Sequence, residues 1–259
     1  MNNVLSKQQT DNFINHGYIR IDDAFSKTTA DAAVDILWND IPFDRNSPNT
    51  WTEPVVRLGM YSQKPFTDSV NTPLLYKIFD ELVGPDRWLP CRSVGTFPVR
   101  FPSNKEPNDT GMHVDVSFPG AEPANYFEWR SNIYSKGRAL LMLVLYSDVA
   151  ETDAPTLLLE GSHLNVARML QPNGDEGLSF MEIANRLDTL PMLPVVKATG
   201  NAGAIYLCHP FMVHAAQVHY GRTPKFMAQP PLLLRGRFEV YSTNNPMPVE
   251  LAIQKALSI

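Results

Sequence analysis

The sequence predicts a mainly β (α+β) fold: a double-stranded β-helix, or jelly roll, with an N-terminal helical layer and helical insertions. Helical patterns fill residues 1–87, whereas short β-rich runs separated by Pro, Gly and Asn follow from residue 88. Strands at this spacing are typical of a sandwich or barrel. Residues 140–145 (LLMLVL) are apolar on both faces, which predicts a strand that is covered on both sides.

Three helices and one strand are predicted in the N-terminal layer. Ser6 and Ser26 each precede a helix-compatible segment and are suited to cap a helix, and Gly17 is suited to end the first helix. The predicted helices cover residues 6–15, a segment that starts at Ser26, and residues 72–82, and the predicted strand covers residues 18–21.

Eight strands and two helical insertions are predicted after this layer. The strands cover residues 93–101, 111–117, 139–147, 156–159, 193–198, 204–208, 213–218 and 225–234, and the insertions cover residues 164–170 and 178–187. No internal repeat or Gly/Ser linker divides the chain. We therefore interpret residues 1–259 as a single jelly-roll domain, with a helical layer (1–87), a jelly-roll core (88–235) and a C-terminal tail (236–259).

The composition indicates a globular protein and excludes several functional classes. The chain has 259 residues, of which 44% are hydrophobic, enough for a sizeable core. A net charge of -5 argues against nucleic-acid binding, because phosphates need a basic surface. The two cysteines make neither a disulfide framework nor a zinc motif, and the longest apolar run, 139–146, is too short to cross a membrane. We expect a cytoplasmic protein with a small-molecule substrate and with neither nucleic-acid nor membrane partners.

A metal-binding pattern occurs in residues 111–117 (GMHVDVS), where His113 and Asp115 are two positions apart. On a strand, residues i and i+2 point to the same face, so the imidazole and the carboxylate converge. With one more histidine they make the facial triad of non-haem iron(II) oxygenases, which leaves coordination positions open. Alone, the pair is a weak signal, because most such pairs are polar residues on a half-exposed strand.

The second histidine is expected in residues 207–216 (LCHPFMVHAA), where either His209 or His214 completes the triad. The two would face opposite sides of a regular strand, and Pro210 marks a break between them. Only one of them is therefore expected to bind the metal. Lys225 follows eleven residues after His214, where a cation is well placed to meet a carboxylate held beside the metal.

With these motifs in order, the chain resembles the phytanoyl-CoA dioxygenase (PhyH-like) family of Fe(II)/2-oxoglutarate-dependent oxygenases over nearly its whole length. Four segments carry the resemblance, and they are specific only together. They are HVD at 113–115, the segment ending in Gly-Ser-His at 153–163, HPFMVH at 209–214, and the cation Lys225.

The resemblance implies a set of ligands and a reaction. His113, Asp115 and His214 would hold Fe(II), and Lys225 would bind the C5 carboxylate of the co-substrate 2-oxoglutarate. The implied reaction uses O2 to hydroxylate a C–H bond of a small molecule and produces succinate and CO2. The identity of the substrate and the oligomeric state are not implied by it.

The chain departs from the family pattern at the co-substrate. The usual anchor is arginine, and lysine lacks the bidentate fork of a guanidinium, so Arg222 is a second candidate. Ala216 stands where some relatives have a hydroxyl residue. Trp129, in a loop expected to cover the substrate, is included among the cofactor-binding candidates.

Other polar residues are expected to have lesser roles. His163 and His209 are interpreted as structural or packing residues, and His219 is expected to be solvated near a turn. His16 lies at a helix end, where its charge suits the helix dipole. Arg138 opens an apolar strand, where it either reaches a ligand or is an ordinary strand-end arginine.

Three other functional classes share parts of this pattern. A cupin-type mononuclear-metal enzyme that does not use 2-oxoglutarate usually has more histidines near the first pair, but none follows His113 until His163. A zinc hydrolase needs a general base, and the motif supplies no obvious glutamate. A non-catalytic jelly-roll binding protein stays open, because Lys225 replaces the usual arginine. Asp115 argues against a halogenase, in which halide occupies the carboxylate position.

Overall fold

A computed structural model describes residues 3–259, which form seven α-helices and thirteen β-strands. The helices are α1 (Lys7–His16), α2 (Lys27–Asp40), α3 (Lys64–Val70), α4 (Pro73–Val83), α5 (Ser162–Leu170), α6 (Phe180–Ala184) and α7 (Pro248–Leu257). The strands are β1 (Tyr18–Ile21), β2 (Val55–Met60), β3 (Trp88–Leu89), β4 (Thr96–Arg100), β5 (Arg130–Ser131), β6 (Arg138–Leu145), β7 (Thr156–Leu159), β8 (Leu178–Ser179), β9 (Val195–Ala198), β10 (Ile205–Cys208), β11 (His214–Ala215), β12 (Met227–Ala228) and β13 (Pro231–Leu234). More of these residues are helical than extended, so the fold is mixed α/β rather than mainly β.

The predicted N-terminal helices are confirmed, together with their caps. Ser6 accepts a hydrogen bond from the backbone of Gln9, whose side chain bonds back to Ser6. Gly17 ends α1 in the left-handed conformation (φ 88°), and a Cβ at this position would collide with the ring of His163. Ser26 caps α2 in the predicted way, and β1 has the predicted bounds.

Antiparallel sheets form the centre of the structure. The larger sheet has the strand order β1-β10-β6-β13-β3, with β12 also paired to β6, and a smaller sheet has the order β11-β7-β9. Every residue of β6 is buried, as its two apolar faces predict. Leu141, Leu143 and Leu145 share an apolar cluster with Leu158 of the smaller sheet, whereas alternate residues such as Met142 join the core under the helices.

Some predicted elements are wrong in type or length. Residues 111–117 do not form a strand, and His113 alone in this segment makes a β-bridge, to His214. The predicted strand 225–234 is divided into β12 and β13 around Pro230, which has no N–H to donate. The insertion at 178–187 contains β8 and the short α6 rather than one helix.

The elements that were not predicted include β2, α3 and α7 and the two-residue strands β3 and β5. The segment 236–259 is not only a tail, because α7 packs against α1, α4 and α5. Pro248 and Glu250 occupy its first and third helical positions, which are usual start signals of a helix. β2 pairs with β4, although Gly59 and the exposed Met60 obscure its strand pattern. No helix among residues 3–259 is long and apolar enough to span a membrane.

Candidate metal centre

The three predicted metal ligands lie together. Donor atoms of His113, Asp115 and His214 are all within 4.8 Å of one another. Nε2 of each histidine is 3.9 Å from Oδ1 of Asp115, and the two imidazole centroids are 4.3 Å apart. The side chains of His214 and Asp115 are only 1% and 16% exposed, so water has limited access to the site.

A backbone bridge places the two imidazoles side by side. The N–H of His113 donates to the carbonyl of His214 at 3.0 Å, and the N–H of His214 donates back at 2.9 Å. Directly opposed residues of an antiparallel pair project to the same side. Asp115 lies two residues beyond this bridge and still reaches the same side, although its segment is irregular.

Hydrogen bonds to the backbone fix the tautomer of both rings. Nδ1 of His113 is 2.9 Å from the carbonyl oxygen of Gly111, and Nδ1 of His214 is 3.1 Å from that of Met212. A carbonyl oxygen only accepts, so both Nδ1 atoms carry the proton and both Nε2 atoms are unprotonated acceptors. This arrangement is typical of metal-ligating histidines.

The electrostatics of the site favour the protonation states that a metal needs. Burial by itself would raise the pKa of Asp115, but Arg138, His214 and His113 and a hydrogen bond from Gln229 hold that pKa below its usual value. Burial lowers the pKa of His214 to about 4, although Asp115 opposes the shift. At neutral pH the site therefore offers an ionised carboxylate and a neutral imidazole, which are the forms that bind a metal ion.

Arg138 orients the carboxylate of Asp115 from behind. Its Nη1 is 3.2 Å from Asp115 Oδ2, and its Nη2 donates to the carbonyl of Val116 at 3.1 Å. Oδ1 of Asp115 is the oxygen that faces the two histidines. The guanidinium therefore occupies one carboxylate oxygen and leaves the other for a metal ion.

Gln229 faces the same donor atoms. Its amide nitrogen is 2.7 Å from Nε2 of His214, and its side chain also bonds to Asp115. Because Nδ1 of His214 carries the proton, Nε2 accepts a hydrogen bond from this amide. A metal ion bound to Nε2 would take the place of this hydrogen bond.

The donor set fits one ion. Metal bonds to imidazole nitrogen and carboxylate oxygen are about 2.1 Å long, so donors at neighbouring corners of an octahedron lie about 3.0 Å apart. The 3.9 Å separations from Asp115 to both histidines are longer than this spacing, and small side-chain movements bring the three donors onto one ion. Two imidazoles and one carboxylate are the ligand types of non-haem iron(II) sites with open positions.

Two residues of the triad line a cavity of about 780 Å³. His113 and His214 line one end of it, and the exposed aromatic side chains of Tyr126 and Phe127 lie at its rim. Burial raises the pKa of Tyr126 to about 12, with a further contribution from the charge of Asp115. Tyr126 is therefore a neutral hydroxyl beside the metal ligands at physiological pH.

Cationic residues gather in another part of this cavity. Arg57 of β2 and Arg100 of β4 both donate to Oδ2 of Asp109, at 2.6 and 2.8 Å. The side chain of Arg100 is only 6% exposed, and its Nη1 has no hydrogen-bond partner among residues 3–259. Oδ1 of Asp109 is likewise buried and unpartnered within the described chain.

Lys225, the predicted co-substrate anchor, is buried beside Arg100. The two residues form a β-bridge, with backbone hydrogen bonds of 3.1 and 2.8 Å in both directions, so their side chains project to the same side. Lys225 Nζ donates to the carbonyl of Ala154. Burial lowers the pKa of Lys225 to about 7, with a further lowering from Arg100 that Asp109 opposes.

The other two cofactor-binding candidates lie away from the metal ligands. Arg222 is exposed, and its side chain makes no ion pair or hydrogen bond with residues 3–259. Trp129 packs on Tyr126, with ring centroids 5.9 Å apart, and its indole N–H donates to the carbonyl of Pro123. It supports the aromatic rim from outside.

The remaining histidines are separate from the site. His209 is fully buried and its Nε2 is 3.2 Å from the carbonyl of Val249. His163 is buried against α1, and His16 pairs with Glu160 at 3.3 Å. The expectation that His219 is solvated is wrong: it is 3% exposed, because the turn folds back so that Gly221 N–H donates to its Nδ1.

Gln229, Arg100 and Tyr126 border the site but were not predicted as site residues, and Arg138 was left open between a ligand-binding and an ordinary strand-end role. Gln229 lies two residues from Met227, so alternation along the strand could have indicated it. Arg100 and Tyr126 carry no local signal, because their contacts come from distant segments.

The fold is shared with solved structures of low sequence identity. GlcNAc Inducible Gene 2 of Candida albicans aligns with 93% of this chain at a TM-score of 0.59 and 14% identity, and this chain spans 65% of that protein. EctD from S. alaskensis, solved with 2-oxoglutarate and 5-hydroxyectoine, aligns over 96% of this chain and 84% of its own (TM-score 0.56, 18% identity). HygX from Streptomyces hygroscopicus, solved with nickel, 2-oxoglutarate and hygromycin B, aligns over 87% and 86% (TM-score 0.53, 14% identity). At these identities the similarity shows a common fold. No protein-family model matches the sequence, and no curated protein sequence matches it.

Proposed function

We propose that this chain is an Fe(II)/2-oxoglutarate-dependent dioxygenase of the phytanoyl-CoA dioxygenase (PhyH-like) type that hydroxylates a C–H bond of a small molecule. In the balanced reaction the substrate, 2-oxoglutarate and O2 give the alcohol, succinate and CO2. Bound iron(II) supplies the redox chemistry with O2. The protein supplies the ligands, the orientation of the reactants and a cavity with limited access for water.

The observation that carries the proposal is the arrangement of His113, Asp115 and His214. Both Nδ1 atoms are fixed on backbone carbonyls, and both Nε2 atoms face one oxygen of Asp115. Three protein ligands leave positions open for a bidentate 2-oxo acid and for O2. The 780 Å³ cavity in front of these ligands has room for a co-substrate and a substrate together.

Lys225 is the proposed anchor for the distal carboxylate of 2-oxoglutarate. An ammonium group has three donors, and the one hydrogen bond to Ala154 leaves two of them for a carboxylate. Its burial strengthens an ion pair relative to one at the surface. Arg222 is less suited, because its side chain is exposed, whereas Lys225 is buried in a bridge to Arg100, which lines the cavity.

We further propose that the paired sheets form a jelly roll and that the chain is a single domain over residues 1–259. The two antiparallel sheets face each other across the cluster of Leu141, Leu143 and Leu145. The predicted helical layer, core and C-terminal segment share one contiguous apolar core. EctD and HygX, which have a common fold with this chain, were each solved with 2-oxoglutarate.

The proposal is tested by adding Fe(II) and 2-oxoglutarate without oxygen and recording the visible metal-to-ligand charge-transfer band of the chelate. We expect the band in the wild type and its loss in Asp115→Ala. On admission of O2, succinate should form in the wild type only. A wild-type protein that binds Fe(II) but gives no band with 2-oxoglutarate contradicts the proposed function.

A further inference from the structure

A stripe of three cations crosses three neighbouring chain segments next to the metal cavity. Arg57 is on β2, Arg100 is on β4, and Lys225 precedes β12 in a bridge to Arg100. The strand pairing places Arg57 opposite Pro98, one step diagonally from Arg100. Asp109 is the carboxylate that pairs with both arginines.

The stripe carries more positive charge than its own carboxylate neutralises. Like charges on directly opposed strand residues destabilise a sheet, and Arg100 and Lys225 are such a pair. Asp109 offsets one of the three charges. If Lys225 binds the distal carboxylate of 2-oxoglutarate, as proposed above, one positive charge in this stripe still lacks a counter-ion.

Part of the cavity wall is apolar. Leu58, Pro98 and Met227 line the cavity together with Arg57 and Arg100. A ligand that fills this space can place an anionic group at the arginines and an apolar body against these side chains. Arg100 has an unused donor for such a group, because its buried Nη1 has no hydrogen-bond partner among residues 3–259.

We propose that the substrate is a carboxylic acid with an apolar body, whose carboxylate binds Arg57 and Arg100. This inference rests on the proposed function for the identity of the metal chemistry, but the carboxylate site itself is a property of the two arginines. A guanidinium binds a carboxylate through two parallel hydrogen bonds. Arg57 is 57% exposed at the side chain, so it receives the ligand at the open side, and Arg100 holds it deeper.

The test uses the matched pair 3-phenylpropanoate and 3-phenylpropanamide, which differ only in the charged group. Their binding is measured by isothermal titration calorimetry, first with the metal-free protein and then with Ni(II) and saturating 2-oxoglutarate. We expect the acid to bind at least about tenfold more tightly than the amide, as one charge-assisted contact implies. Binding to the metal-free protein does not depend on the proposed function, so the two hypotheses fail separately.

Variants of Arg57 locate the carboxylate. Arg57→Gln should weaken binding of the acid by about tenfold and leave binding of the amide unchanged. Arg57→Lys should retain part of the affinity for the acid. The matched control is Arg45→Gln, which removes a similarly exposed arginine that pairs with Asp35 outside this cavity wall. The 2-oxoglutarate charge-transfer band should be unchanged in both glutamine variants.

Three results would overturn the proposal. They are equal affinity for the acid and the amide, no detectable binding of either compound, and unchanged affinity for the acid in Arg57→Gln. The wild type could also give no charge-transfer band and still bind the acid more tightly than the amide. That result would contradict the proposed function and support the carboxylate site.

Discussion

Two histidine pairs lie in this structure, and only one of them is arranged to bind a metal. The rings of His113 and His214 are 4.3 Å apart, and those of His163 and His209 are 5.1 Å apart. The first pair faces the carboxylate of Asp115. The second pair faces no carboxylate in the described chain and lies where α1, α5 and the start of α7 meet.

The tautomers of the two pairs are opposite. In the metal pair Nδ1 donates to a backbone carbonyl and Nε2 is the unprotonated acceptor. In the second pair Nε2 donates, from His163 to Ile14 and from His209 to Val249, and Nδ1 of His209 accepts from Phe211. Proximity of two imidazoles is therefore not enough: a metal pair needs converging free nitrogens and a negative charge beside them.

The comparison is tested most strongly by removing one histidine from each pair. His214→Ala should abolish both Fe(II) binding and the charge-transfer band, because two remaining ligands do not hold the ion. His209→Ala should retain the band but lower the free energy of unfolding by about 2–4 kcal/mol, since it leaves a cavity and an unpaired carbonyl. Absorbance at fixed Fe(II) and a urea melt measure the two effects. Loss of the band in a folded His209→Ala protein would contradict the distinction.

The second prediction concerns the guanidinium that distinguishes the metal pair. Arg138→Met removes the contact to Asp115 Oδ2 and should weaken metal binding by about 10–100-fold, as loss of an outer hydrogen bond to a ligand does. The metal affinity of Arg138→Lys should lie between those of the wild type and Arg138→Met, because lysine keeps the charge but not the fork of the guanidinium. Arg168→Met is the control, since Arg168 donates to the carbonyl of Ala256 beside the other pair. Equal metal affinity in Arg138→Met and Arg168→Met would rule out this role.

The third prediction concerns acid stability and belongs to the second pair. Burial lowers the pKa of His163 to about 4. Burial, together with His163, also holds the pKa of His209 well below its usual value. A histidine whose pKa is depressed by folding stabilises the protein above its unfolded pKa of about 6.5 and loses that contribution as the pH falls toward the folded value. His163→Gln should therefore reduce the loss of stability between pH 6.5 and 5 by about 2 kcal/mol.

Urea melts of the metal-free protein at pH 7, 6 and 5 measure this slope. His214 also has a lowered pKa, so His163→Gln removes only part of the pH dependence. The same slope in the variant and the wild type would show that His163 is protonated in the folded protein.

The sequence predicted the proposed metal ligands but not what distinguishes them from the other pair. His113 and Asp115 follow from their spacing, although the strand on which that reasoning relied does not form, and His214 follows from the family resemblance. His209 and His214 stayed open alternatives, because local sequence does not specify which carbonyl a ring nitrogen meets. Arg138 and Asp115 are 23 residues apart in sequence, and the bridged residues His113 and His214 are 101 apart. Such contacts depend on how distant segments pair in the folded protein.

The fold shows the same limit. The capped helices α1 and α4 were predicted nearly to the residue, as was the start of α2, because their signals are local. β12 and β13 were read as one strand, although Pro230, which has no N–H to donate, lies between them. Lys225, at the start of that predicted strand, was identified by its position in the sequence, whereas its bridge to Arg100 was not predicted.

The last prediction concerns Lys225, the proposed co-substrate anchor. Its charge changes near neutral pH, because burial and Arg100 lower its pKa to about 7 while Asp109 opposes the shift. A carboxylate binds only the ammonium form, so binding above pH 7 requires uptake of a proton. The dissociation constant of 2-oxoglutarate should therefore rise by up to about tenfold per pH unit above pH 7 and be nearly constant below it. Lys225→Arg should remove this dependence, because a guanidinium stays charged throughout. Calorimetric titrations with Ni(II) between pH 6 and 8.5 compare the two proteins. An identical dependence of the dissociation constant on pH in both would show that the proton is taken up elsewhere. That result would contradict the proposed role of Lys225 in co-substrate binding.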